Sequence, residues 1–442
     1  MTRVCIIGAG PSGFTALKAL REAGIETVCF EASDDIGGNW YYNNPNGQSA
    51  CYQSLHIDTS KTKAGFDDFP MPDDYPDFPS HQQIFQYFQD YVAHFQLRPH
   101  IRFNTWVTEV TPESGGWRVV TDQGEAAHFD YVLVANGHHW KPSWPDYPGD
   151  FSGETLHAHS YRHPAEPVQM QGKRVLVVGF GNSAMDIASE LSPRYLTERL
   201  CVSARRGGYI MPKYLFGQPA DKALLPPWVP GWLARRLFRW VYRYTVGDVT
   251  RWGIQQPDHQ PLEAHPSVSG EFLQRLGSGD IEMRPAIERL AGDEVVFSDG
   301  RQERFDVLVY ATGYDVSFPF LKAGLVPLDD NRLPLFKRLL RPEHPNLIFL
   351  GLAQALPSLL NLAQVQMRLV VPLIQGRYRL PSVAEMEAAI AADEQSHGGH
   401  YYASRRHTMQ LDFARYEREI ATELKRGVSA RRGGNRVEKQ SA

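Results

Sequence analysis

The chain has 442 residues, 42% hydrophobic and 22% charged, proportions of an ordinary folded protein with room for two or three domains rather than of a disordered or fibrous one. A formal net charge of −4 gives no reason to expect a nucleic-acid partner, although the tail "KRGVSARRGGNRVEKQSA" is locally basic. No run of ~18 apolar residues is present to span a bilayer, and "MTRVCIIGAG" reads as the start of a strand rather than a cleavable leader, so a cytoplasmic location is expected.

The first predicted strand, Val4–Ile7, is a continuous apolar run of the kind buried in a parallel sheet. Gly8, Gly10 and Gly13 follow at GxGxxG spacing, and a helix is predicted through Ala23. Such glycines permit the tight turn, a close backbone approach to a pyrophosphate, and tight helix–strand packing. The next strand, "TVCF", ends at Glu31, where an acid is placed to bond a ribose hydroxyl. A lone GxGxxG is a weak signal, but strand, glycines, helix, strand and acid in order predict a nucleotide site.

"SHQQIFQYFQDYVAHFQL" reads as an amphipathic helix with Ser80 and Gln83 at capping-box spacing and Ile84, Tyr87, Phe88, Tyr91, Val92 and Phe95 on one core-facing stripe. Strands "IRFNTWVTEV" and "WRVVT" precede a buried strand, "YVLVANG", that ends in a turn at Gly137. After "FSGETLHAHSY" at 151–161, the glycine pattern returns: Val175–Val178 form the strand, Gly179 and Gly181 the turn, and Ala184 stands third, where alanine is allowed. This time the following strand ends in Arg205 and Arg206. They are read either as partners of a 2′-phosphate, pointing to NADPH, or as two solvated arginines. "DVLVYATGY" at 306–314 echoes "YVLVANG", as expected of one dinucleotide-binding domain set within another.

The stretch at about 215–275 fits neither half. Within it "WLARRLFRWVYRYTVG" reads as a basic amphipathic helix, able to rest on a membrane surface, with a lid or domain-packing role preferred. The four cysteines, Cys5, Cys29, Cys51 and Cys201, include no CxxC pair. A disulfide framework is not expected, and a disulfide reductase on the same architecture is excluded.

"GAGPSG", "GGNW" at 37–40, "FSGETLHAHSY", "GFGNSA" and "YATGY" at 310–314 stand in this order, with similarity running to "LAQVQMR" at 362–368. They resemble the flavin-containing monooxygenases. The resemblance implies an α/β fold of two Rossmann-like dinucleotide-binding domains: an FAD domain (1–155 and 315–442, with the basic tail) and an inserted NADPH domain (156–314). It implies cofactor contacts at Gly8, Gly10, Pro11, Ser12, Gly13, Glu31, Gly38, Asn39, Trp40, Thr59, Lys61, Gly179, Gly181, Asn182, Ser183, Ala184, Arg205, Arg206, Ala311, Thr312, Gly313 and Gln366. Phe151, Gly153, His157 and Tyr161 match the family's FxGxxxHxxx(F/Y/W) fingerprint, expected to hold the two domains in register. Because Baeyer–Villiger relatives usually close it with Trp, Tyr161 favours N- and S-oxygenation.

The activity implied is transfer of hydride from NADPH to flavin, addition of O2, and delivery of one oxygen from a C4a-hydroperoxyflavin to a small-molecule amine or thioether. Ketone oxygenation is the alternative, a non-oxygenating flavin sensor a second, and a homodimer is left open. Neither a catalytic triad nor paired carboxylates are expected. Asp58 departs from the family's usual Asn and is the candidate catalytic residue, with a local turn or capping role as its plainer reading. Lys61 is read either as facing a cofactor phosphate or as pointing to water.

Overall fold

A computed structural model describes residues 2–223, 229–261, 263, 266–356, 359–398 and 409–438. Parts of the 215–275 stretch and the last four residues of the basic tail lie outside the described residues. Two parallel sheets organise the chain. The first takes β1 (Arg3–Ile7), β2 (Glu26–Phe30), β3 (Ile101–Arg102), β4 (Tyr131–Val134), β10 (Leu340–Arg341) and β11 (His344–Phe349), in the order β10-β11-β4-β1-β2-β3. Only the β10–β11 pair is antiparallel. The second takes β5 (Glu154–His157), β6 (Arg174–Val178), β7 (Arg199–Ser203), β8 (Glu282–Arg284) and β9 (Val307–Tyr310), all parallel, in the order β8-β7-β6-β9-β5.

Each sheet is covered on both faces, and so its central strands are apolar throughout rather than alternating. In the first, Val4, Ile6 and Leu133 pack under helices α1 (Pro11–Glu22), α2 (His81–His94) and α5 (Leu362–Ile374), while Cys5, Val132, Val134 and Phe349 face an antiparallel meander through Trp117 and Phe129. In the second, Val175 and Val177 pack under helix α3 (Asn182–Leu191), and Leu176 and Leu308 face Val295 and Phe297. The capping box on α2 is formed, Gln83 N donating to Ser80 Oγ and Ser80 N to Gln83 Oε1.

One predicted strand is divided. "IRFNTWVTEV" becomes β3 and a second strand, Val107–Glu113, in different sheets. Asn104 between them adopts a left-handed backbone, φ 50°, a conformation Asn tolerates and one that breaks an extended run. The stretch at 215–275 includes helix α4 (Gly231–Thr245), and its Tyr242, Val246, Val249, Ile254 and Phe272 join the second core. All four cysteines are buried and unpaired, as are the eight methionines whose environment is described. No helix among the described residues is long and apolar enough to cross a membrane.

Candidate active site

Both glycine turns are built the same way. Gly8 lies at φ 99° and donates to Phe30 O at 2.8 Å, and a Cβ there would sit 2.7 Å from Ala135 O. Gly179 lies at φ 139° and donates to Ser203 O at 3.0 Å, with a Cβ 2.3 Å from Ala311 O. In each, the strand-end residue that crowds the glycine follows one of the two echoing strands, β4 or β9. Both helices that follow, α1 with Pro11 at its start and α3 with Asn182, have a glycine N-cap, Gly10 or Gly181, that makes no side-chain capping bond. That leaves room at the positive helix end for a phosphate.

Around the first turn the surroundings fit a dinucleotide. Gly38 faces Gly10 so closely that a Cβ on Gly38 would be 3.3 Å from Gly10 Cα, and Ser12 abuts Gly351. The Gly38–Trp40 turn is held by Asn39, whose Oδ1 accepts from Ala50 N, while Trp40 packs half-buried on the first core. Glu31 is buried; its oxygens accept from Ala9 N at 2.6 Å and Ser33 N at 2.8 Å. Burial raises its pKa against the pull of these N–H groups. Each oxygen keeps a lone pair for a hydroxyl.

At the second turn, Arg205 and Arg206 are exposed at the end of β7, with Arg206 3.5 Å from Asp258. Thr312 Oγ1 donates to Ser143 O at 2.6 Å, and Gly313 accepts from Ser143 N. A separate cavity of about 950 Å³, lined by Thr2, Gly24, Glu26 and Arg377 among others, opens at the N-terminal ends of β1 and β2, the wrong end of a parallel sheet for a cofactor.

The two halves meet at a polar seam absent from the sequence reading. Asn182, Asp186 and Glu190 recur every four residues and so share one face of α3. Asn182 Nδ2 donates to Asp58 at 2.6 Å, Tyr52 OH donates to Asp186 at 2.6 Å, and Ser54 and Tyr161 donate to Glu190 at 2.8 and 2.9 Å. Lys213 stands 3.4 Å from Asp58, and Asp221 accepts from Ser60 N at 2.6 Å. Burial raises Asp58, with Lys213 opposing, and lifts Asp186 to about 7, Asp58 adding to the rise. Carboxyl groups are therefore brought together where none were expected to pair. Polar residues at four-residue spacing, Asn182, Asp186 and Glu190, were the available signal.

Asp58 does not cap a local helix: the short helix after it has Ser60 as N-cap, and its carboxylate crosses to α3. Half-buried Thr59 and Ser183 sit beside this contact. Two expected cofactor residues have other work. The ammonium of Lys61 donates to the carbonyls of Asp73 at 2.6 Å and Tyr75 at 2.5 Å. Gln366 is 0% exposed, its amide spanning Gly351 N and Arg338 O, so its side chain has no surface to offer. Gly13 and Ala184 are likewise buried and serve packing. The fingerprint runs along the seam: His159 Nε2 lies 2.9 Å from Gly47 O, and Arg162 next to Tyr161 reaches the carbonyls of Ser49 and Cys51.

These features have known counterparts. A family described as flavin-binding monooxygenase-like matches residues 1–429. Flavin-containing monooxygenase 5 of Rattus norvegicus is 35% identical, covering 95% of this chain and 82% of that protein. Dimethylaniline monooxygenase (N-oxide-forming) 2 of the same organism is 35% identical over 96% of this chain and 82% of its own length. The structure of S-allyl-L-cysteine S-oxygenase from Allium sativum superposes with a TM-score of 0.70 at 25% identity, covering 96% of this chain and 88% of that one. With two glycine turns of matching construction and a family match over nearly its whole length, the chain belongs to the flavin-binding monooxygenase-like family and is a flavoprotein monooxygenase.

Proposed function

We propose that the first turn holds FAD, the second holds NADPH, and the enzyme places one atom of O2 on a soft nucleophile, an amine nitrogen or a thioether sulfur. The balance is NADPH, a proton, O2 and substrate giving NADP⁺, water and the N- or S-oxide. The observation that carries this reading is the opposite chemistry of the two strand ends: a buried carboxylate at Glu31 against exposed guanidinium groups at Arg205 and Arg206. A carboxylate suits ribose hydroxyls, and arginine suits a 2′-phosphate. Bound between the halves, the flavin supplies the electron transfer and oxygen activation. The chain's own part is to bind and orient. Gly8 and Gly10 let backbone approach the pyrophosphate, Glu31 anchors the ribose, and the Asp58–Asn182 bond ties the FAD-side segment to the start of α3.

Tyr161 at the close of the fingerprint, and relatives named for N-oxide formation and S-oxygenation, favour nitrogen and sulfur over ketones. Four unpaired cysteines support a reducing, cytoplasmic setting. The test is product analysis coupled to NADPH oxidation with a thioether, a tertiary amine and a cyclic ketone. Sulfoxide and N-oxide matching NADPH consumed is the expected result. Lactone without sulfoxide would move the enzyme to ketone chemistry, and NADPH consumption yielding only hydrogen peroxide with every substrate would favour a flavin sensor.

A further inference from the structure

Helix α3 is held from two sides. Its apolar residues Ala184, Met185, Ile187, Ala188 and Leu191 are buried in the second core, so the helix moves with the second sheet. Its other face, carrying Asn182, Asp186 and Glu190, meets the segment 52–58, from which Asp58 accepts a bond from Asn182, Tyr52 donates to Asp186 and Ser54 donates to Glu190. That segment is fixed to the first half. Ile57 lies in the first core, Leu55 O accepts from His81 N at 2.9 Å at the start of α2, and Ile57 N donates to Pro79 O at 3.0 Å. The polar bonds of the seam are therefore struts from one core to the other.

The spacing of these struts matters as much as their number. Asn182 and Glu190 stand eight residues apart, which is ~12 Å along the helix axis. A bond at one end alone would leave a pivot, whereas bonds at three successive turns fix both tilt and roll. A tilt of ~5° about one end of such a lever moves the other by ~1 Å, and a misplacement of that size between reacting groups can lower a rate by about a hundredfold. The donors are rigid: Tyr52 is 4% exposed, and Tyr161, which reaches Glu190 from the end of the fingerprint, is 0% exposed, with the two rings edge to face at 6.3 Å. Packed in this way, each phenol has one direction in which to donate. Asp186 and Glu190 lie one and two turns behind the glycine turn at Gly181, and so they act on whatever that turn holds through the helix.

We propose that Asp186 and Glu190 are positioning residues that, with Tyr52 and Tyr161 as their donors, aim α3 so that the nicotinamide meets the flavin for hydride transfer; the assignment rests on the second turn's being the NADPH site. The experiment uses the whole flavin-loaded chain. Anaerobic flavin reduction is followed against NADPH concentration, with rates expressed per bound flavin, and the flavin difference spectrum is recorded on titration with NADP⁺, where no turnover occurs. Tyr52→Phe, Asp186→Ala and Glu190→Ala are each expected to lower the limiting reduction rate by about ten- to a hundredfold and to shrink the NADP⁺ difference spectrum, while the dissociation constant for NADPH moves by less than about threefold. Asp186→Asn keeps an acceptor for Tyr52 and is expected to recover most of the rate lost in Asp186→Ala. Because Tyr52→Phe and Asp186→Ala remove the same bond, their losses are expected not to add. Tyr52→Phe deletes a single oxygen atom and carries the test even where an alanine variant fails to fold. Loss of yield or flavin content with an unaltered rate per bound flavin overturns the proposal, as does weakened NADPH binding with the limiting rate intact. Failure of NADPH to reduce the flavin of the unaltered protein would overturn the reading of the second turn, and this assignment with it.

Discussion

The two glycine turns share a backbone and differ in what stands around it. In the first, a Cβ on Gly13 would lie 1.8 Å from Gly8 O, while in the second Ala184 carries a real Cβ in the matching place and is fully buried. At the strand ends, Glu31 is buried and braced by two backbone N–H groups, while Arg205 is exposed. The first site is therefore tight and preformed, suited to a cofactor that stays. The second is looser and charged at its rim, suited to one that exchanges.

Exchanging the third-position residues tests the tightness most severely. Gly13→Ala has no room without moving backbone and should cost about 3 kcal/mol or more, with loss of flavin and of folded yield. Ala184→Gly should cost only about 1–2 kcal/mol. Gly10→Leu separates binding from folding: a Cβ there meets only Gly38, at 3.8 Å, so the variant should fold yet be colourless. Urea unfolding and the visible spectrum read all three, and stoichiometric flavin in Gly10→Leu would refute the first site.

The rim is tested next. Arg205→Ala should weaken NADPH by about ten- to a hundredfold, the worth of roughly 1.5–3 kcal/mol for a charged contact, and leave NADH unchanged. Flavin reduction rates against each nicotinamide give the answer. Equal losses for both would remove the phosphate role.

A smaller effect is expected where the halves touch. Burial holds Asp58 above the ordinary carboxylate range, and so it passes from a donor-bearing acid to an acceptor-only carboxylate as pH rises. Asp58→Asn keeps an acceptor for Asn182 and a donor at every pH. Hydrogen peroxide release without substrate should therefore rise with pH in the wild type, by severalfold, and stay flat in the variant, with FAD content equal. Parallel profiles would make Asp58 purely structural.

The smallest effect is on stability. Asp186 titrates near 7 in the fold against 3.8 when free. Between those values the folded state binds more protons than the unfolded, so this group's contribution falls as pH rises from about 4 to 7 and is constant above. Asp186→Asn should flatten the melting temperature over that window by a few degrees or less, and an unchanged slope would assign it to other groups.

What the sequence made legible was whatever depends on neighbours along the chain. Val4–Ile7 and Val175–Val178 read as buried strands because both sheet faces are covered, the glycine turns because positive φ demands glycine, and the Ser80 cap because its partner is three residues away. The seam was hidden because Tyr52 and Asp186, or Ser54 and Glu190, stand more than a hundred positions apart. The surroundings of Lys61 and Gln366 were hidden for a related reason. Their partners are backbone carbonyls and an amide, which no residue letter announces.

The burial of the sulfur atoms has a consequence for how such an enzyme survives its own chemistry. An agent that oxygenates thioethers in a substrate will also attack methionine, and peroxide that escapes attacks thiolates. Here burial pushes the thiols of Cys51 and Cys201 up to about 12 and those of Cys5 and Cys29 above the usual range, leaving almost no thiolate at neutral pH. The eight methionines whose environment is described are shielded from solvent. The catalyst thus presents its oxidant with substrate sulfur while the described sulfur atoms of its own lie inside the cores, a resistance to self-inactivation that lasts as long as the cores stay closed.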